Sequence, residues 1–111
     1  MEYYSKLRGK EVDSLFEAVL LLQNTEECYR FFEDICTISE IHAIAQRLEV
    51  AKLLKSGITY QDIAQRLGAS TATISRVNRS LTYGSGGYQL LLQRLDEKKA
   101  ADTAAQNEVG G

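Results

Sequence analysis

The residues of this chain best placed to do chemistry lie between Ser70 and Arg79. Ser70, Thr71, Thr73, Ser75, Arg76, Asn78 and Arg79 put hydroxyls, an amide and two guanidinium groups on one short stretch with no acid among them. Such groups suit the major groove of duplex DNA: short polar side chains meet phosphates and base edges, and arginine matches the paired acceptors of guanine. A polar helix face that merely meets solvent has the same composition, so the frame beneath these residues decides between the two readings.

That frame reads as a helix-turn-helix over residues 60–79, in which two helices cross at roughly 90 to 120° over a short turn. Ile63 and Leu67 stand four apart on the first helix, and Ile74 and Val77 three apart on the second, so each helix can turn an apolar face to the other. Ala64 falls at the expected crossing, where a larger side chain would push the helices apart. Gly68 suits the left-handed residue that ends a helix, and Ser70 follows as N-cap of the second. Thr59 and Asp62 are expected to cap the first.

The 111 residues allow one domain of ordinary size, and with no proline and 44% apolar residues they suit an all-α fold of about six helices. Residues 1–10 are expected to form a flexible arm, 11–99 a single helical domain, and 100–111 a disordered tail. Apolar spacing predicts a first helix near residues 11–23, carrying Val12, Leu15, Phe16, Val19, Leu20 and Leu22. A second is expected to start from Thr25 as N-cap, with Cys28, Phe31, Phe32 and Ile35 buried. Thr37 to Glu40 has the form of a capping box opening a third helix, with Ile41, Ile44, Ala45, Leu48, Ala51 and Leu54 inward. Beyond the Tyr83–Tyr88 glycine-rich turn, a last helix is expected over about residues 88–99.

Net charge is −2, yet it is unevenly spread. Residues 1–40 hold four basic and nine acidic side chains, residues 41–94 seven and two, and residues 95–111 two and four. Positive charge therefore gathers around the helix-turn-helix, as a polyanionic partner requires. Leucine runs at 20–22 and 90–92 present more apolar surface than short helices of one chain can cover, which points to a homodimer. Two reading helices about 34 Å apart would then enter successive major grooves.

Other chemistries are poorly served. One histidine and two cysteines cannot assemble a four-ligand zinc site from soft ligands, so no metal is expected, and Cys28 and Cys36 are expected to be buried free thiols. No clustered Asp/His set or nucleophile elbow supports an enzyme. With no leader-like or membrane-spanning segment in the sequence, a cytoplasmic protein is expected.

From Thr37 onward the chain resembles the tryptophan repressor superfamily, and more closely its small YerC/YecD branch. The likeness rests on Glu40 with Ala43 and Arg47, on Val50 to Leu54, on the run Gly68-Ala-Ser-Thr-Ala-Thr-Ile-Ser-Arg76, and on Leu81-Thr-Tyr-Gly-Ser-Gly-Gly-Tyr88. The resemblance implies six helices intertwined with those of a second copy and a role as a DNA-binding transcriptional regulator, here expected to be a dimeric repressor. It also implies an effector pocket, onto which Thr37, Arg47, Arg76 and Ser80 map. In the repressor an indole lies between two arginines. Arg76 matches one of them; Arg47 matches the other once one residue is dropped, and Gln46 takes that place in an ungapped alignment. Val77 replaces a small glycine and fills space the indole needs, so tryptophan is not the expected effector. No cofactor is expected, and the identity of any small-molecule effector stays open. The alternative function is a protein-interaction module that keeps the helix-turn-helix shape without reading DNA and works through its acidic residues 11–40.

Overall fold

The computed structural model describes residues 3–110. Six α-helices make up its secondary structure, with no strand among the described residues: α1 Lys10–Val19, α2 Thr25–Ile35, α3 Ile38–Lys55, α4 Tyr60–Leu67, α5 Thr71–Tyr83 and α6 Gly87–Gly110. The all-α architecture expected from the sequence is the one observed. The chain divides into two compact units, Met1–Ile41 and His42–Gly111.

In the first unit, Tyr3 to Gly9 precede α1, and the Arg8 guanidinium lies 5.2 Å from the centre of the Tyr4 ring. Met1 and Glu2, at the tip of the expected arm, lie outside the described residues. Helix α1 is shorter than expected. The Leu21 N–H bonds to the Ala18 carbonyl and the Leu22 N–H to that of Val19, so the chain tightens after Val19 and the leucine run leaves the helix. Asn24, rather than Thr25, caps α2: its side chain accepts the Glu27 N–H at 2.9 Å, while the Glu27 carboxylate accepts the Gln23 N–H at 2.9 Å. The cap thus sits one residue earlier than expected, with asparagine doing the work of threonine, and the Glu27 carboxylate reaches past it to the preceding N–H.

The opening of α3 follows its expected form. The Thr37 N–H donates to the Glu40 carboxylate at 2.8 Å, and the Glu40 N–H to the Thr37 hydroxyl at 3.1 Å. These two bonds, the backbone one foremost, hold the Glu40 carboxyl below the ordinary glutamate pKa.

No residue of α1 or α2 is buried. Cys28 is exposed and Cys36 half-buried, both as free thiols, so the expectation of buried cysteines is corrected. The reason is that neither helix has its apolar face fully covered within the chain: Phe16 is 56% exposed and Ile35 54%.

The second unit holds the buried core of the described residues. Val50 and Ala51 of α3, Ile63 of α4, Ala69 of the turn, Ile74 and Val77 of α5 and Leu92 of α6 form one cluster, with Leu48, Leu54, Ala64, Leu67 and Tyr88 packed around it. Apolar residues run round most of α3, so only part of its circumference meets this cluster. Ile44 and Ala45, expected inward, are exposed. Helix α6 does not stop near Lys99. It continues to Gly110, past the expected helix end, with alanines as strong helix formers and no proline to interrupt it, while Gly111 at the end of the expected tail lies outside the described residues.

Candidate nucleic-acid interface

Helices α4 and α5 pack on each other through the pairs their spacing implied. Ile63 and Ile74 are fully buried, Val77 is 2% exposed, and Ala64 is half-buried against the same cluster. Burying side chains of this size contributes roughly 1.5 to 3 kcal/mol each, which locks α5 against its neighbour. The caps fix where each helix begins. The Asp62 N–H donates to the Thr59 hydroxyl at 3.2 Å, and the Thr73 N–H to the Ser70 hydroxyl at 3.1 Å. Between them Gly68 takes φ +67°, in the left-handed region.

With its apolar face committed, α5 turns Thr71, Ser75, Arg76 and Arg79 outward, all exposed. Ser70 is exposed too, yet its hydroxyl is already engaged, accepting the Thr73 N–H and donating to the Thr73 hydroxyl at 3.0 Å. Thr73 and Asn78 are half-buried. The seven residues singled out therefore split into four that stand clear, one that organises the helix start, and two at the edge of the outward face. No acid lies anywhere on α5, so nothing there repels a phosphate.

On one flank of α5 lies a cavity of about 360 Å³. Helix α3 contributes Ala43, Gln46 and Arg47, α5 contributes Thr73, Arg76, Val77 and Ser80, and α6 contributes Tyr88. Three of the four residues mapped to an effector pocket, Arg47, Arg76 and Ser80, thus line one space. Thr37 belongs to the first unit, where its hydroxyl caps α3. Gln46 lines the cavity beside Arg47 and donates to the Leu67 carbonyl at 3.4 Å, tying α3 to the end of α4. Arg47 donates its Nε to the Ala43 carbonyl at 3.2 Å. Tyr88 was missed as a site residue. Its place after three glycines marked it as part of a turn, and only the return of α6 towards α5 brings it to the cavity.

No group of His, Cys, Asp and Glu able to hold a metal occurs among the described residues, and no helix there is long and apolar enough to cross a membrane.

A buried α4–α5 pair with a capped, acid-free second helix defines a helix-turn-helix protein. Residues 10–96 match the Trp repressor protein family, and the chain belongs to that family. It is 54% identical over 99 residues to YerC of Bacillus subtilis, a protein of uncharacterised function, covering 89% of this chain and 95% of that one. Two solved structures superpose with a TM-score of 0.79 at 56% identity over 82% of this chain. One is a candidate Trp repressor from Staphylococcus aureus, with 91% of its chain covered, and the other a TrpR-like protein from Eubacterium eligens, with 94% covered.

Proposed function

We propose that the protein is a sequence-specific DNA-binding transcriptional regulator, a repressor that acts as a homodimer with α5 as its reading helix. The observation that carries this reading is the outward, acid-free face of α5, with Arg76 and Arg79 exposed on a helix whose other face is locked into the core. Membership of the Trp repressor family supports it. So does charge: residues 41–94 carry seven basic and two acidic side chains.

The dimer is supported by apolar surface that the single chain leaves bare. Leu20 is 83% exposed, Leu21 77% and Ile38 75%, with Leu90 and Leu91 near half. Surface of this kind marks an interface, and a two-fold partner presents a second α5 to the next major groove. The cavity beside α5 is the place for an effector, with Arg47, Arg76 and Ser80 as its polar contacts and Val77 standing against an indole.

Selection of duplexes from a random pool, followed by titration of the enriched sequence, tests the assignment. Replacing Arg76 and Arg79 together by alanine is expected to weaken that sequence about 30-fold or more, each base contact being worth about 1 to 3 kcal/mol. Equal affinity in the double variant would remove α5 from the interface. A selection with no enrichment would favour the protein-interaction alternative.

A further inference from the structure

The cavity beside α5 gathers positive charge that no ion pair among the described residues answers. Arg47 enters it from α3 and Arg76 from α5, with the Ser80 hydroxyl and half-buried Tyr88 alongside, and no acid belongs to its lining. The ion pairs of the described residues, Arg30 with Glu26 and Lys52 with Glu49, involve neither arginine. The bond from Arg47 Nε to the Ala43 carbonyl orients that guanidinium. Two guanidinium forks at one concavity are suited to carboxylate or phosphate oxygens, which they bind in paired, charge-assisted hydrogen bonds. At about 360 Å³ the space is at the small end of ligand sites, and buried Val77 is part of its lining.

We propose that this cavity binds a small polyanion bearing carboxylate or phosphate groups, and that its occupation weakens the hold of α5 on DNA. The second half rests on α5 being the reading helix. Arg76 belongs to both surfaces, so an anion that engages it withdraws a cation from the duplex and places negative charge beside a polyanion. Linkage makes the effect reciprocal: DNA must expel the anion by the same factor. An effector of this kind is an inducer, opposite in sign to a corepressor.

The test uses pyrophosphate and citrate as probes, which separate phosphate from carboxylate recognition, with chloride at matched ionic strength as control. Calorimetry on the full chain without DNA is expected to give saturable binding of at least one probe. That binding should weaken at least tenfold in Arg47→Gln and only partly in Arg47→Lys, with unchanged helical circular dichroism confirming that both variants fold. On a selected duplex, a saturating probe is expected to raise the Kd at least about fivefold in the wild type, and the ratio should fall towards one in Arg47→Gln. Lack of saturable binding by both probes, or equal binding by Arg47→Gln, overturns the ligand. Binding that leaves the duplex Kd unchanged or tightens it overturns the sign. Intact anion binding by a protein that enriches no duplex upholds the ligand, overturns the coupling and refutes α5 as the reading helix.

Discussion

The Ser70 hydroxyl accepts the Thr73 N–H at 3.1 Å and donates to the Thr73 hydroxyl at 3.0 Å, so both groups of the cap are used inside the protein. This pair sets the first turn of α5, and through it the direction in which Thr71, Ser75 and Arg76 leave the helix. Ser70→Ala is expected to cost about 1 kcal/mol of stability in thermal denaturation. Ser70→Asp should retain the cap and the melting temperature while weakening DNA binding, because a carboxylate would stand where phosphates approach. Equal losses of DNA affinity in both variants would show that helix geometry alone, and not charge, matters at this position.

Gly68 and Gly84 separate two reasons for glycine. At Gly68, φ is +67° and an added Cβ would meet nothing within 4 Å, so Gly68→Ala should cost only the left-handed penalty of about 1 to 2 kcal/mol. At Gly84, φ is −83° but an added Cβ would run into the Ser80 carbonyl oxygen. Gly84→Ala must therefore open the last turn of α5 and is expected to lower the melting temperature more than Gly68→Ala.

Ile63 and Ile74 are both fully buried, one from each helix of the α4–α5 pair. Truncating either to alanine is expected to cost about 2 to 5 kcal/mol, read from urea unfolding midpoints. Ile74→Val should cost about 0.5 to 1.5 kcal/mol and leave duplex selection intact, since the outward face is untouched.

The Glu40 carboxyl is held below its ordinary pKa by the Thr37 N–H and then by the Thr37 hydroxyl. A carboxyl whose folded pKa is depressed stabilises the fold fully above its unfolded pKa, and that contribution fades as pH falls through the unfolded value towards the folded one. Amide exchange in the first turn of α3 is expected to quicken as pH drops from about 5 to 3 beyond the intrinsic pH effect on exchange, and Glu40→Gln should abolish that excess. An NMR titration placing the Glu40 pKa at or above the usual glutamate value would contradict the capping geometry.

Leu20 and Leu21 stand in the turn after α1, 83% and 77% exposed. Sedimentation of the wild type is expected to give about twice the chain mass of 12.4 kDa. Leu20→Glu with Leu21→Glu should shift the distribution towards monomer and weaken duplex binding, while Ile63 and Ile74 keep the second unit folded.

Local chemistry made much of this protein legible before any coordinates. Spacing of Ile63, Leu67, Ile74 and Val77, the left-handed Gly68 and the caps at Ser70 and Thr37 depend on residues within a few positions of one another, and these follow from the chain alone. The same is true of α5 as an acid-free helix. Where neighbours compete, local rules were less decisive: Asn24 displaced Thr25 as cap, and successive three-residue bonds took Leu21 and Leu22 out of α1. Helix α6 ran on past Lys99 because alanine propensity, with no breaker, outweighed the lack of an apolar face. Tertiary structure alone decided which part of α3 meets the core, leaving Ile44 bare and burying Val50, since apolar residues surround that helix and periodicity cannot choose among its sides. It alone brought Arg47, Arg76, Ser80 and Tyr88 to one cavity, because residues 41 positions apart become neighbours only when three helices pack together.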